Sequence, residues 1–216
     1  MEDAILRGVA HGARIDDVKA SLHRLEQLRD PETHQHEKHA RRLVTALCAS
    51  LGMTREAQEA YAFAAELHDI GKVVLPDSVL KKPGALNLEE RSAVQSHCLA
   101  GHQILSAIDH PWTQLAAEVA LAHHERWDGS GYPHACSGED IPLSARLVAV
   151  CDVYSALRER RAYKPAIGHA EAMDILLEGD PVRGHRGAIS FDPALTAQLA
   201  RAPDLFDISD MFAAPA

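Results

Sequence analysis

The chain has 216 residues, 46% of them hydrophobic, and a formal net charge of −9. That length and apolar share suit one ordinary globular domain with a real core and exclude a disordered chain. The acidic balance, with a pI of about 5.8, excludes the broad basic face that nucleic-acid polymer requires, so an anionic substrate must be drawn in by a local site.

Aromatics make up only 5%, and Ala and Leu dominate the apolar set, which favours helices over a β-sandwich or barrel. The first predicted element runs from about Ile15 to Leu28. Its apolar positions Ile15, Val18, Leu22 and Leu25 are spaced 3, 4 and 3 apart, an amphipathic stripe. Packing on the domain is favoured over a homodimer seam, which stays open as a second option. Asp30-Pro31 reads as a cap and first helical residue, starting a helix through Glu32, His36, Leu43 and Leu47 to Gly52. A second start near Thr54 leads through Ala64 to His68 and Asp69, and Gly71 and Pro76 end the pattern. Pro83-Gly84 is a turn, and Asn87 with Glu90 forms a capping box. The helix it opens carries Val94, His97 and Gly101, and another spans Trp112 to His124. A Gly- and Pro-rich loop follows from Asp128 to Pro142, then helices at Leu143–Arg158, His169–Leu177 and Pro193–Arg201, with the last dozen residues frayed. No strand and no internal repeat is evident.

The four cysteines, Cys48, Cys98, Cys136 and Cys151, include no CxxC and are scattered as in a reduced, cytosolic protein. No apolar run reaches membrane-span length and no signal peptide is evident, so a cytoplasmic protein is expected. The 14 histidines raise the expectation of metal binding, although His11, His23, His169 and His185 read as surface residues.

Glu32 and His36 are four apart, share one helix face and can reach one ion. His68 and Asp69 are adjacent; neighbouring helical side chains diverge by about 100°, so this pair suits two ions or a bridging carboxylate. His123 and His124 form a second adjacent pair at a helix end beside a loop. His97 and Asp152 sit inside helical patterns among apolar neighbours. Any one of these alone is more often a core or ion-paired residue than a ligand. Together, eight His and carboxylate side chains on five helical segments point to a metal centre. Mixed N and O ligation suits Fe, Mn or Zn, and the absence of a nearby Cys argues against structural zinc. The segment Asp128 to Pro133 would be a turn in any protein, but directly after His123 and His124 it must lie at the mouth of that centre, where Tyr132 can stack on or hydrogen-bond to a substrate.

His68-Asp69-Ile70-Gly71-Lys72 resembles the HDIGK core of the HD superfamily of metal phosphohydrolases. HHERWDGSGYP, from His123 to Pro133, resembles the hallmark of its HD-GYP branch, and Arg29-Asp30-Pro31-Glu32-Thr33 with His36 resembles that branch's RDPETxxH opening. The resemblance covers about Arg29 to Leu199. It implies an all-α, HD-superfamily helical bundle with extra HD-GYP helices and a short N-terminal helix. The division expected is a lead-in over 1–28, an HD-GYP domain over 29–204 and a tail over 205–216. It further implies a centre of two or three divalent ions, usually iron or manganese, and hydrolysis of cyclic di-GMP to the linear dinucleotide pGpG and often onward to GMP. Carried over by position, the ligands are Glu32, His36, His68, Asp69, His97, His123, His124 and Asp152, and Glu32 goes with a third metal. Tyr132, Arg161 and Lys164 map onto substrate contacts, and Lys72 onto the lysine close to the scissile phosphate.

Three ligand carboxylates and three divalent ions leave the site at about +3, and two ions at about +1; either attracts a dianionic cyclic dinucleotide. The mechanism this implies is that a water held between two ions, with Asp69 as bridging carboxylate, would be acidified toward hydroxide and would attack phosphorus, while the metals and Lys72 would stabilise the developing charge. Two departures stand out. The family's DRPYK reads Arg160-Arg161-Ala162-Tyr163-Lys164 here, and His39 stands where the family commonly has Arg. These favour keeping two alternatives: a catalytically weak nucleotide-binding or signalling module that docks a protein partner through the GYP loop, and a phosphodiesterase for a hybrid cyclic GMP-AMP.

Overall fold

The computed structural model describes residues 12–29, 31–82, 84–159 and 166–208; side chains 12–14 and 31–34 also lie outside the description. Among the described residues, ten α-helices are joined by short 3₁₀ turns and no strand is present. They are α1 (Gly12–Arg29), α2 (Pro31–Ser50), α3 (Arg55–Glu66), α4 (Asp77–Leu80), α5 (Leu88–Gln95), α6 (His97–Ser106), α7 (Pro111–Ala122), α8 (Leu143–Arg158), α9 (His169–Glu178) and α10 (Pro193–Arg201).

Helices α2, α3, α7 and α8 pack on one another around the core, with α1 against α2, α6 against α7 and α9 against α8. The alanines of α3 and α7 let backbones approach closely. Ala60, Ala64, Ala65, Ala116, Ala117 and Ala120 are all buried, and Leu43, Leu47, Phe63, Val119, Leu147, Val150 and Tyr154 fill the space between them. Each such large side chain contributes roughly 1.5–3 kcal/mol on burial.

Thr54 caps α3 by accepting from Ala57 N at 3.3 Å, and Asn87 and Glu90 make the reciprocal capping box at α5. α8 and α10 run over the residues expected from the sequence. Four local expectations are corrected. α3 stops at Glu66, so His68 and Asp69 lie in a turn leading into a 3₁₀ segment, Ile70–Val74, and not inside a helix. The helix expected through Val94 and Gly101 breaks at Ser96, which makes His97 the first residue of α6. On α1, Ile15 is buried and Val18 and Leu22 pack partly, but Leu25 is 47% exposed and the stripe ends there. Phe206 and Ile208 are buried in the core, so the chain stays packed through residue 208. No helix among the described residues is long and apolar enough to cross a membrane.

Candidate metal centre

Two backbone approaches assemble the site. A Cβ on Gly71 would lie 2.0 Å from the carbonyl oxygen of His97 and 2.5 Å from Gly101 N. Only glycine lets the His68–Lys72 turn press onto the start of α6, which carries Asp69 to His97. A Cβ on Gly131 would lie 2.4 Å from Arg126 N and 2.5 Å from the His124 carbonyl oxygen. Glycine there lets the loop fold back over the His123-His124 pair, where Tyr132 N donates to His124 O at 3.2 Å.

The imidazoles of His36, His68, His97, His123 and His124 then meet the carboxylates of Asp69 and Asp152. Ring centroids are 5.5 Å apart for His36 and His68, 4.9 Å for His68 and His123, 5.3 Å for His97 and His123, and 4.0 Å for His123 and His124. Asp69 is central. Its Oδ2 lies 3.4 Å from His68 Nε2, and its Oδ1 lies 3.3 Å from His97 Nε2 and 3.8 Å from His123 Nε2. Asp152 Oδ1 lies 2.9 Å from His36 Nε2 and 3.9 Å from His68 Nε2.

The donor set fits divalent cations. His68, His97 and His123 each direct Nδ1 at backbone carbonyls of the preceding helical turn: Ala65 O at 2.7 Å, Val94 O at 2.6 Å, and both Val119 O and Ala120 O at 3.1 Å. Nδ1 carries the proton in such an arrangement and Nε2 is left to face the centre. His68 Nε2 and Asp69 Oδ1 are buried with no hydrogen bond, a costly arrangement unless another group engages them. Nitrogen and oxygen atoms 3.3–3.4 Å apart match the spacing of donors around one ion with bonds of about 2.0–2.1 Å.

Protonation agrees. Burial keeps His123 and His124 neutral, pushing His124 down to about 3. Burial opposes charge on Asp69 and Asp152, but Lys72 with the His68 and His97 imidazoles outweighs it at Asp69, and His36, His68 and His124 outweigh it at Asp152, so both carboxyls lie well below the usual range. Lys72 Nζ is ion-paired with Asp69 Oδ2.

Tyr132 lies flat on His124, with centroids 4.6 Å apart and planes 29° apart, and burial raises its pKa so that it stays a neutral phenol. The GYP loop is fastened by His134 N donating to Glu125 Oε1 at 2.7 Å and Trp127 N to Ser190 O at 3.0 Å. The side chain of Glu32, in the first turn of α2, and the whole of Arg161 and Lys164 lie outside the described residues.

Sequence reasoning missed Glu159. Its Oε1 lies 3.0 Å from His36 Nδ1 and 2.8 Å from His39 Nδ1 and accepts from Ser155 Oγ at 2.9 Å. The position seven residues after Asp152 is two helical turns on and so shares its face, which was the available signal. His39, a departure from the family pattern, is thereby accommodated. The expectation of no nearby cysteine is also corrected: Cys98 Sγ lies 3.6 Å from His97 Nε2, although burial pushes its thiol up to about 12. His169 is not a bare surface residue, since its Nδ1 lies 2.7 Å from Tyr154 Oη.

A helical bundle enclosing a His/Asp cluster around an HD pair defines an HD domain, and the chain belongs to the HD-domain family, whose model matches residues 21–194. A probable cyclic di-GMP phosphodiesterase of Vibrio cholerae is 39% identical over 99% of this chain and 50% of its own length. A 3′3′-cGAMP-specific phosphodiesterase of the same organism is 40% identical over 64% of this chain and 26% of its own. The HD domain of the L. monocytogenes phosphodiesterase PgpH, solved with cyclic-di-AMP, superposes with a TM-score of 0.61 at 14% identity, covering 91% of this chain and 98% of that one. The chain thus spans half or less of these curated relatives' length.

Proposed function

We propose that the chain is a metal-dependent phosphodiesterase that hydrolyses cyclic di-GMP to pGpG, and onward to GMP, at the Asp69 centre. The observation that carries this reading is the meeting of five imidazoles and two carboxylates in one buried cluster, with Lys72 and Tyr132 at its edge. The relatives' names supply the substrate class. His36, His68, Asp69, His97, His123, His124 and Asp152 would hold two or three ions, iron or manganese, with Glu32 completing a third position. Such ions polarise phosphoryl oxygens and acidify water.

This chain's own residues do the rest. Asp69, within 4 Å of three imidazole nitrogens, would hold an ion together with His68, His97 and His123. Lys72 brings a fixed positive charge beside Asp69, where it can stabilise a phosphoryl oxygen as charge develops. Tyr132 offers a ring face and a neutral hydroxyl to a base or ribose. Arg161 and Lys164 would contact the substrate's phosphates or guanines, and the catalytic unit would occupy about residues 29–204.

The protein, loaded with Fe(II) or Mn(II) without oxygen, should convert cyclic di-GMP to pGpG, and His68→Ala or Asp69→Ala should abolish turnover. Nucleotide binding without hydrolysis in the loaded protein would replace this reading with a binding module. Competition in which 3′3′-cGAMP is the better substrate by kcat/KM would reassign the substrate to the hybrid dinucleotide.

A further inference from the structure

A second cluster lies outside the centre, at the seam of α1 and α2. His23 and Glu26 are one turn apart on α1 and share a face; Glu37 reaches them from α2. Glu37 follows His36, but successive helical side chains diverge by about 100°, so His36 faces Asp152 while Glu37 faces α1. The cluster is deep: Glu26 is 3% exposed and Glu37 is fully buried. His23 Nδ1 lies 3.4 Å from Glu26 Oε2 and 3.3 Å from Glu37 Oε2, and one donor atom from each residue lies within 4.8 Å of the other two. Neither oxygen of Glu26 accepts a hydrogen bond.

Two features of this arrangement call for a cation. Glu26 is buried with both carboxylate oxygens lacking a hydrogen bond, a costly arrangement unless another group engages them. A cation seated between His23, Glu26 and Glu37 engages them. The spacing fits as well, since zinc–ligand bonds of about 2.0–2.1 Å in a tetrahedron put neighbouring donors about 3.3–3.4 Å apart. This also explains why the apolar stripe of α1 gives out at Leu25: the packed face there is polar.

We propose that His23, Glu26 and Glu37 form a structural site for a divalent cation of zinc type that fastens α1 to α2. α1 is also tied to the turn that follows Asp69, where Arg29 Nε donates to Val73 O at 3.2 Å. The ion thus fastens α1 to α2, while Arg29 fastens α1 to the segment after Asp69.

Cobalt(II) tests it, because a tetrahedral site gives an intense visible band that tracks occupancy. In the His68→Ala/Asp69→Ala protein, Co(II) should give a tetrahedral band that is lost when His23→Gln/Glu26→Gln is added. In the otherwise intact chain, elemental analysis after zinc loading should show one ion per chain fewer in His23→Gln/Glu26→Gln than in the unsubstituted protein, with circular dichroism confirming that both are folded. Absence of the band in the centre variant overturns the proposal. Equal zinc content in the two folded proteins also overturns it and leaves a proton-sharing His–Glu–Glu cluster in its place. Turnover plays no part in either readout, so the result stands apart from the assignment of the catalytic centre.

Discussion

At the scale of single residues, the decisive arrangement is the line Glu159–His36–Asp152. A carboxylate on the far side of a ligating imidazole fixes its orientation and makes it a stronger donor. Glu159 is a positioning residue by this argument, and Glu159→Gln should weaken metal retention by roughly 10- to 100-fold, with Glu159→Asp recovering part of it. Chelator competition against the loaded protein measures this, and unchanged retention would show that the contact is only structural. His36 also sets a pH dependence. Burial opposes its charge, but hydrogen bonds and attraction from Asp152 and Glu159 outweigh burial and raise its pKa to about 10. Its folded value lies above neutral pH, so without an ion the imidazole is protonated there, and a ligating imidazole must give that proton up. Loading should release protons, and affinity should rise with pH. Calorimetry in buffers of different ionisation enthalpy reads the release, and a heat independent of the buffer would contradict it. The motif residues His68, Asp69, Lys72, His123, His124 and Tyr132 were readable because each sits in an ordered run of neighbours. Glu159 was not, because its role depends on α2 and α8 lying side by side.

At the scale of elements, legibility followed the strength of local punctuation. The extents of α8 and α10 were plain because Pro142, Asp192 and Pro193 mark their starts. Ser96 and Leu67 are different. Neither is a helix breaker, and Ser96 keeps helical dihedral angles of −64° and −15°, so helical periodicity runs straight through the break. Tertiary contact decides these ends: α6 must begin at His97 for its ring to reach Asp69, and α3 must stop before His68 to turn that ring into the centre. Gly71 is where this contact is tightest. Gly71→Ala should cost about 1–3 kcal/mol by overpacking and lower Tm by several degrees, since a chain of this size loses about 2–4 °C per kcal/mol. Metal retention should fall with it. A thermal scan with unchanged Tm would mean that the turn does not press on α6.

For the whole molecule, the helical class was legible from composition, while the enclosure of the centre was not. Burial also sorts the four thiols. Cys48, Cys98 and Cys151 are fully buried, and burial pushes the Cys48 thiol up to about 12, so thiolate is scarce at neutral pH. Cys136 is partly exposed. A chromogenic disulfide reagent should therefore titrate one thiol per chain rapidly in the folded protein and four in denaturant. Two or more fast thiols would mean that the bundle opens on the timescale of the reaction.

The proposed activity and the metal-retention effects depend on side chains distant along the chain gathering around cations. The direct measurement is a crystal structure of anaerobically prepared protein with diffraction recorded on both sides of the iron and manganese absorption edges. Anomalous peaks should lie between Asp69 and the imidazoles of His68, His97 and His123, with a further peak beside Asp152 and His36. A folded, metal-replete protein whose anomalous map is empty at Asp69 would contradict the account.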